Sequence, residues 1–163
     1  MTLSSSLETV SDSNGVLIKY GGGVSQFFTA CCNGTDIFLT AAVTFQSETN
    51  KYHIDLAASG ERVDGIVIGK AWPTSYDFDN DSDDPYDNNQ WVRCYKPISR
   101  DLLYATVATA TSITKDDWVK YSGGFLTGAT SKDDAIGRLA NGGVAITGVS
   151  ATEQIASIEW GTD

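Results

Sequence analysis

Four aspartates, Asp77, Asp79, Asp81 and Asp83, recur at every second position inside the polar stretch 74–89, TSYDFDNDSDDPYDNN. Calcium takes about six to eight oxygen ligands, and an Asp-x-Asp-x-Asp run supplies several of them from one loop. The run departs from an EF-hand loop at two places. Ser82 stands where the turn glycine belongs, and Asn88 where the bidentate Glu belongs. Like charges this dense also repel one another and hold a loop in solvent. Asp77, Asp79, Asp81 and Asp83 are therefore the candidate metal ligands, set against an expectation that the chain needs no metal or other cofactor.

Nucleophilic catalysis through an imidazole has one candidate, His53, the single histidine of the chain. It lies in Lys51-Tyr52-His53-Ile54-Asp55, where polar and apolar side chains alternate as on a half-buried strand. No Gly-x-Ser-x-Gly elbow accompanies it. The three cysteines are an adjacent pair, Cys31 and Cys32, and the distant Cys94. An odd count without a Cys-x-x-Cys step does not read as a disulfide framework or a zinc site. Buried small hydrophobes is the better reading, with Cys31 and Cys32 on opposite faces of one strand. With 21 acidic residues some carboxylate pair will always lie within reach, so that signal carries no information about glycoside chemistry. The chain is expected not to be an enzyme.

Length and charge narrow the class further. The 163 residues fit one domain or two very small ones, with 41% hydrophobic and 20% charged residues. A net charge of −10 repels phosphate backbones and anionic lipid, so neither nucleic acid nor membrane is an expected partner. No apolar run is long enough to span a bilayer as a helix. The opening MTLSSSLETVSDSNG lacks the basic and apolar regions of a signal peptide, which points to synthesis in a cytoplasm.

The elements that must position these residues are short and β-rich. Residues 1–14 are Ser-rich and polar, and read as a flexible N-terminal arm. Residues 15–163 read as one β-barrel-like domain carrying the acidic insertion 74–89. Candidate strands are 26–32, 37–45, 51–56, 62–70, 91–95, 118–121, 135–139, 143–149 and 154–160, and 101–110 reads as a strand in preference to a short helix. Asn33-Gly34-Thr35-Asp36 is a tight-turn signal between the first two. Gly21, Gly22 and Gly23 form a loop, and no Lys-Ser or Lys-Thr follows to make it a Walker loop. Val63, Ile66 and Ile68 are expected in the core. Trp72, Trp91, Trp118 and Trp160 read as core or interface anchors. No long 3.6-residue apolar period appears, so the fold class is all-β, a compact barrel or sandwich of short antiparallel strands.

Val63 to Gly69 reads VDGIVIG, and Asp116 to Leu139 reads Asp-Asp-Trp-Val, a Gly-Gly turn, a polar ATSKDD stretch and Ala-Ile-Gly-Arg-Leu. This pattern resembles the capsid cement, or head-decoration, proteins of tailed viruses. Ile68-Gly69-Lys70-Ala71 looks like an earlier copy of the second step. The acidic insertion and Leu139, which replaces a small residue, depart from the family pattern. The resemblance implies a small, non-enzymatic virion protein made in the host cytoplasm. It implies a homotrimer seated on the outside of the mature capsid, with the major capsid protein as partner and stabilisation of the shell as its task. Leu3 in the arm, Trp118 and Arg138 are the candidate contact residues. Two other functions fit the residues: a tail- or fibre-associated virion part, and a cation-dependent binding module using the 77–87 loop.

Overall fold

Alternation along the chain decides which side of each strand is buried. In Trp91–Lys96, Val92 and Cys94 are buried inside while Trp91 and Arg93 lie outside. The computed structural model describes residues 9–11, 17–19, 26–46, 52–71, 80–140 and 154–162. Among them are twelve strands and one short 3-10 turn at Lys132–Asp134. In chain order the strands are β1 (Thr9–Ser11), β2 (Leu17–Lys19), β3 (Gln26–Cys32), β4 (Ala42–Phe45), β5 (His53–Leu56) and β6 (Gly65–Lys70). They continue with β7 (Trp91–Lys96), β8 (Leu102–Val107), β9 (Trp118–Ser122), β10 (Phe125–Gly128), β11 (Gly137–Leu139) and β12 (Gln154–Trp160).

The all-β expectation is met, and the barrel is double. β3-β5-β4-β6-β7 closes into a first barrel. β8-β10-β9-β11-β12 closes into a second ring through the β8–β12 pairing. The wiring of the two is the same. In each, the first strand pairs parallel with the third, and every other pairing is antiparallel. Closure leaves neither ring with an open edge of its own. The hairpin β1–β2 adds to the second barrel where Ile18 and Lys19 pair with Leu103 and Leu102 of β8. Thr9–Ser11 is thus a strand within the stretch expected to be a flexible arm.

Two expectations change. Residues 33–36 do turn, with Gly34 at φ 101°, yet β3 makes no hairpin with β4. The expected strand over 37–45 shortens to Ala42–Phe45. Residues 37–41 form a loop that buries Ile37 and Phe38, and that burial competes with continuing the ladder. Thr40 in this loop sits at φ 76°, rare for a β-branched residue. Its N–H donates to the Val67 carbonyl at 2.9 Å, and its hydroxyl pairs with that of Thr106 at 2.6 Å. The expected strand 143–149, Gly21 to Gly23 and Trp72 lie outside the described residues.

Two hydrophobic clusters fill the molecule, one inside the first barrel and one that joins the two barrels. Val67 points into the first barrel among Ala30, Cys32, Phe38, Ile54, Val92 and Cys94. Ile66 and Ile68 of the same strand face the other way, into a cluster with Leu103, Val119, Tyr121, Leu126 and Ile158 of the second barrel. Strand β6 is therefore buried on both faces. The β6–β7 register shifts between Val67 and Gly69, a bulge beside this doubly buried stretch. Gly123 and Gly124, at φ 59° and 81°, make the two-residue hairpin of β9–β10. Its tip docks on the first barrel: the Ala42 N–H donates to the Gly124 carbonyl (3.2 Å) and the Gly124 N–H to the Ala57 carbonyl (3.1 Å). Phe125 stacks on Phe38 with ring centroids 4.5 Å apart.

Candidate functional site

His53 lies on β5, in register with Cys31 of β3, which is in turn in register with Trp91 of β7. The sheet thus brings a thiol and an imidazole into neighbouring strand positions. A nucleophilic cysteine needs a lowered pKa. Burial pushes the Cys31 thiol up, and pushes Cys32 up to about 12 with neighbouring Cys31 and Asp36 adding to it. Burial, then Cys32, also raises Cys94. These thiols stay protonated at neutral pH, which is the behaviour of packing residues. All three are free cysteines.

The acidic loop divides at the limit of the described residues, which exclude Asp77 and Asp79. Asp81 accepts the N–H groups of Asp83 and Asp84 through one oxygen, each at 3.0 Å. That is an Asx turn, in which the carboxylate holds its own loop. Asp83 and Asp84 are exposed. Among the described residues no group of three or more His, Cys, Asp or Glu is arranged to hold a metal ion. A calcium site built from this run would need ligands beyond those residues.

Leu3 also lies outside the described residues. Trp118 and Arg138 are brought together. They face each other across β9 and β11, and the Arg138 guanidinium sits 4.0 Å from the Trp118 ring centroid. A cation over an indole face is attracted by the ring quadrupole and orders both long side chains. Arg138 is exposed and Trp118 half-buried. Beside them runs a cavity of about 470 Å³ lined by Ser112, Ile113, Asp116, Asp117, Trp118 and Ala129, among others. Its lining is more polar than apolar and includes the carboxylates of Asp116 and Asp117, and the guanidinium stacked on Trp118 stands next to it.

Two features were not legible as a site. Tyr52 and Trp91 are exposed and adjacent at one end of the first barrel, with ring centroids 6.2 Å apart. The parallel pairing of β3 and β5 brings them together, and no local sequence signal announces that pairing. At the joint between barrels, Asp101 is fully buried and accepts the Tyr95 hydroxyl (2.5 Å) and the Ile98 N–H (3.0 Å). Asp101 follows Pro97 in a turn, the one hint available in the sequence.

No family model matches the chain, and no curated protein does. Among solved structures, it is similar to the N base of head fiber gp8.5 of bacteriophage phi29, with a TM-score of 0.57 and 10% sequence identity. The similarity covers 85% of this chain and 96% of that one. At that identity the likeness is one of fold, and it takes in nearly the whole of that solved N-base chain.

Proposed function

We propose that the chain is a structural component of a phage virion, attached to the outside of the head. The observation that carries this reading is the fold shared with a phage head-fiber N base over 96% of that solved chain. The double barrel supports it, because a closed and doubly buried scaffold suits a static role better than a hinged one. The cavity beside Trp118 and Arg138 is the head-facing surface in this reading, and the major capsid protein is the partner. A protein that binds assembled shells and not their dispersed subunits stabilises the shell by mass action. Several copies in one homotrimer would add their contacts by multivalency.

Two versions of the role differ in what they do to the shell. A cement protein raises the resistance of heads to heat or denaturant. A fibre base attaches a projection and leaves that resistance unchanged. The fiber likeness favours the second, and the sequence pattern over 116–139 favours the first. The test adds purified protein to heads that lack it, then measures co-sedimentation and the temperature of genome release. Binding with a higher release temperature supports cement, and binding with no change supports a fibre base. Failure to co-sediment with heads, together with antibody label on tails or on no particle, overturns the head reading. A rise in melting temperature of the isolated protein with calcium would instead revive the cation-dependent module.

A further inference from the structure

The two barrels correspond residue by residue around their second and fourth strands. Val43 pairs with Gly65 and Leu56 in the first barrel, as Val119 pairs with Gly137 and Gly128 in the second. The loop bonds repeat as well. The Thr40 N–H donates to the Val67 carbonyl (2.9 Å) and the Asp116 N–H to the Leu139 carbonyl (3.0 Å), with Thr40 at φ 76° and Asp116 at φ 69°. The Ala57 N–H donates to the Ala42 carbonyl (2.9 Å) and the Ala129 N–H to the Trp118 carbonyl (2.8 Å). Ala41, Ala42, Leu56 and Ala57 therefore correspond to Asp117, Trp118, Gly128 and Ala129. The first four form the slot that holds the β9–β10 hairpin tip. There the Ala42 N–H and the Ala57 carbonyl bond to the Gly124 backbone, and a Cβ on Gly124 would come within 2.6 Å of Leu56. The second four line the cavity of about 470 Å³ beside Arg138. Among the described residues no loop group bonds to the Trp118 N–H or to the Ala129 carbonyl.

We propose that this cavity is a second slot of the same kind, and that it docks the tip of a tight β-hairpin from a partner protein. Placing that partner in the head rests on the reading of this face as the head-facing surface. The Trp118 N–H and the Ala129 carbonyl hold the backbone of the incoming tip, as Ala42 and Ala57 hold Gly124. Main-chain bonds of this kind supply affinity whatever the side chains, and a two-residue tip needs residues that accept positive φ. Gly128 in place of Leu56 makes the second slot roomier, so its occupant can carry Asn or Asp there as well as Gly. Where the joint has Ala42 and Ile66, the second slot has Trp118 and Arg138. Apolar residues suit a face that is permanently covered. A guanidinium stacked on an indole suits a face that is wet until a partner arrives. In each copy of the chain the Gly123–Gly124 tip already fills the first slot, so the occupant is another protein.

The probe is a cyclised hairpin peptide of residues 119–128, VKYSGGFLTG, added to the full chain. Cyclisation is needed because an isolated hairpin is marginal in water. Binding is read from titration heat and from the Trp118 and Ala129 amide signals in NMR spectra, both of which should move. Sarcosine in place of Gly124 removes the N–H that the Ala129 carbonyl accepts, and should weaken binding about fivefold or more. Ala129→Phe fills the cavity and should abolish binding, while Tyr52→Ala in the first barrel should leave it unchanged. Thermal melts establish that each variant is folded. No shift at Trp118 and Ala129, equal binding of the sarcosine peptide, or binding retained by folded Ala129→Phe would overturn the proposal. Self-association of the chain lost in Ala129→Phe would also overturn it, because the occupant would then be a second copy. Heads separate this inference from the reading it rests on. If the peptide binds as expected and folded Ala129→Phe still co-sediments with heads, the slot stands and the head-facing reading falls. If the peptide fails while Ala129→Phe loses heads, the head-facing surface stands and the hairpin slot falls.

Discussion

The two barrels are wired alike and built differently. The first is filled partly by its loops: Ile37, Phe38 and Tyr86, all buried, come from residues 33–41 and 80–90 and not from strands. The second is filled by strand residues, Leu103, Val119, Leu126, Leu139 and Ile158 among them. Between its second and third strands the first barrel runs through residues 46–52, where the second needs only Gly123 and Gly124. In both, the largest number of residues between successive described strands separates the fourth from the fifth, 71–90 and 140–153. The same topology thus tolerates two ways of filling its interior. Added chain length between strands costs little in closure entropy, so the two barrels can differ most there.

One position shows the difference most sharply. The fourth strand of each barrel opens on an inward-facing glycine, Gly65 in β6 and Gly137 in β11. A Cβ at Gly137 would run into the backbone carbonyl of Glu159, which cannot move without breaking β12. A Cβ at Gly65 would meet the Phe28 ring at 2.6 Å, and a ring can turn aside. Gly137→Ala should therefore destabilise by about 3 kcal/mol or more, and Gly65→Ala by about 1 kcal/mol. Chemical denaturation of both variants measures this; equal losses would break the comparison.

The barrels also differ in what their outer faces do. Ile68 points out of the first barrel, yet it is 2% exposed because the second barrel covers it. Ile68→Ala should cost about 2–3 kcal/mol in the same measurement, the loss typical of an interior residue. A loss within about 0.5 kcal/mol, as for an exposed position, would mean that the barrels do not pack as described.

Tyr95→Phe tests the polar joint. It removes a donor from fully buried Asp101 and should cost about 2 kcal/mol. The two barrels should then also lose cooperativity, read as separation of the Trp fluorescence and circular dichroism transitions.

The smallest effect is expected at Asp64. Burial works to raise its pKa, but hydrogen bonds from the Phe45 N–H, Arg62 and Thr44 and the Arg62 charge outweigh it and hold the carboxyl below its ordinary range. A folded-state pKa below the unfolded value adds stability above the unfolded pKa, and that stability is lost as pH falls through the folded one. Asp64→Asn should therefore cost about 1 kcal/mol at neutral pH and progressively less below pH 4, roughly the unfolded carboxylate value. A loss that stays constant into acid would remove this account.

Most strands could be read from the sequence, because a period of two is written wherever one face is buried. The spans 26–32 and 154–160 agree with β3 and β12 at both ends. The joint between barrels was not legible. β6 reads Gly-Ile-Val-Ile-Gly-Lys, a continuous apolar run, and such a run shows double burial without saying what lies on either side. Residues 37–41 look like strand because Ile37 and Phe38 are apolar, and they are apolar to fill a barrel end. Of the site candidates, Trp118 and Arg138 were visible as bulky and charged side chains. Their stacking was not, since it depends on the pairing of β9 with β11.

The distribution of cysteines has a consequence for observing this molecule at work. Cys31, Cys32 and Cys94 all belong to the first barrel, buried and protonated, and none of the three belongs to the second. An alkylating reagent finds no thiolate until that barrel opens. The rate of thiol modification is then a clock for opening of one half of the protein, read without a probe having been introduced. Run on free protein and on assembled particles, the same clock would show whether docking slows the first barrel's opening or leaves it alone.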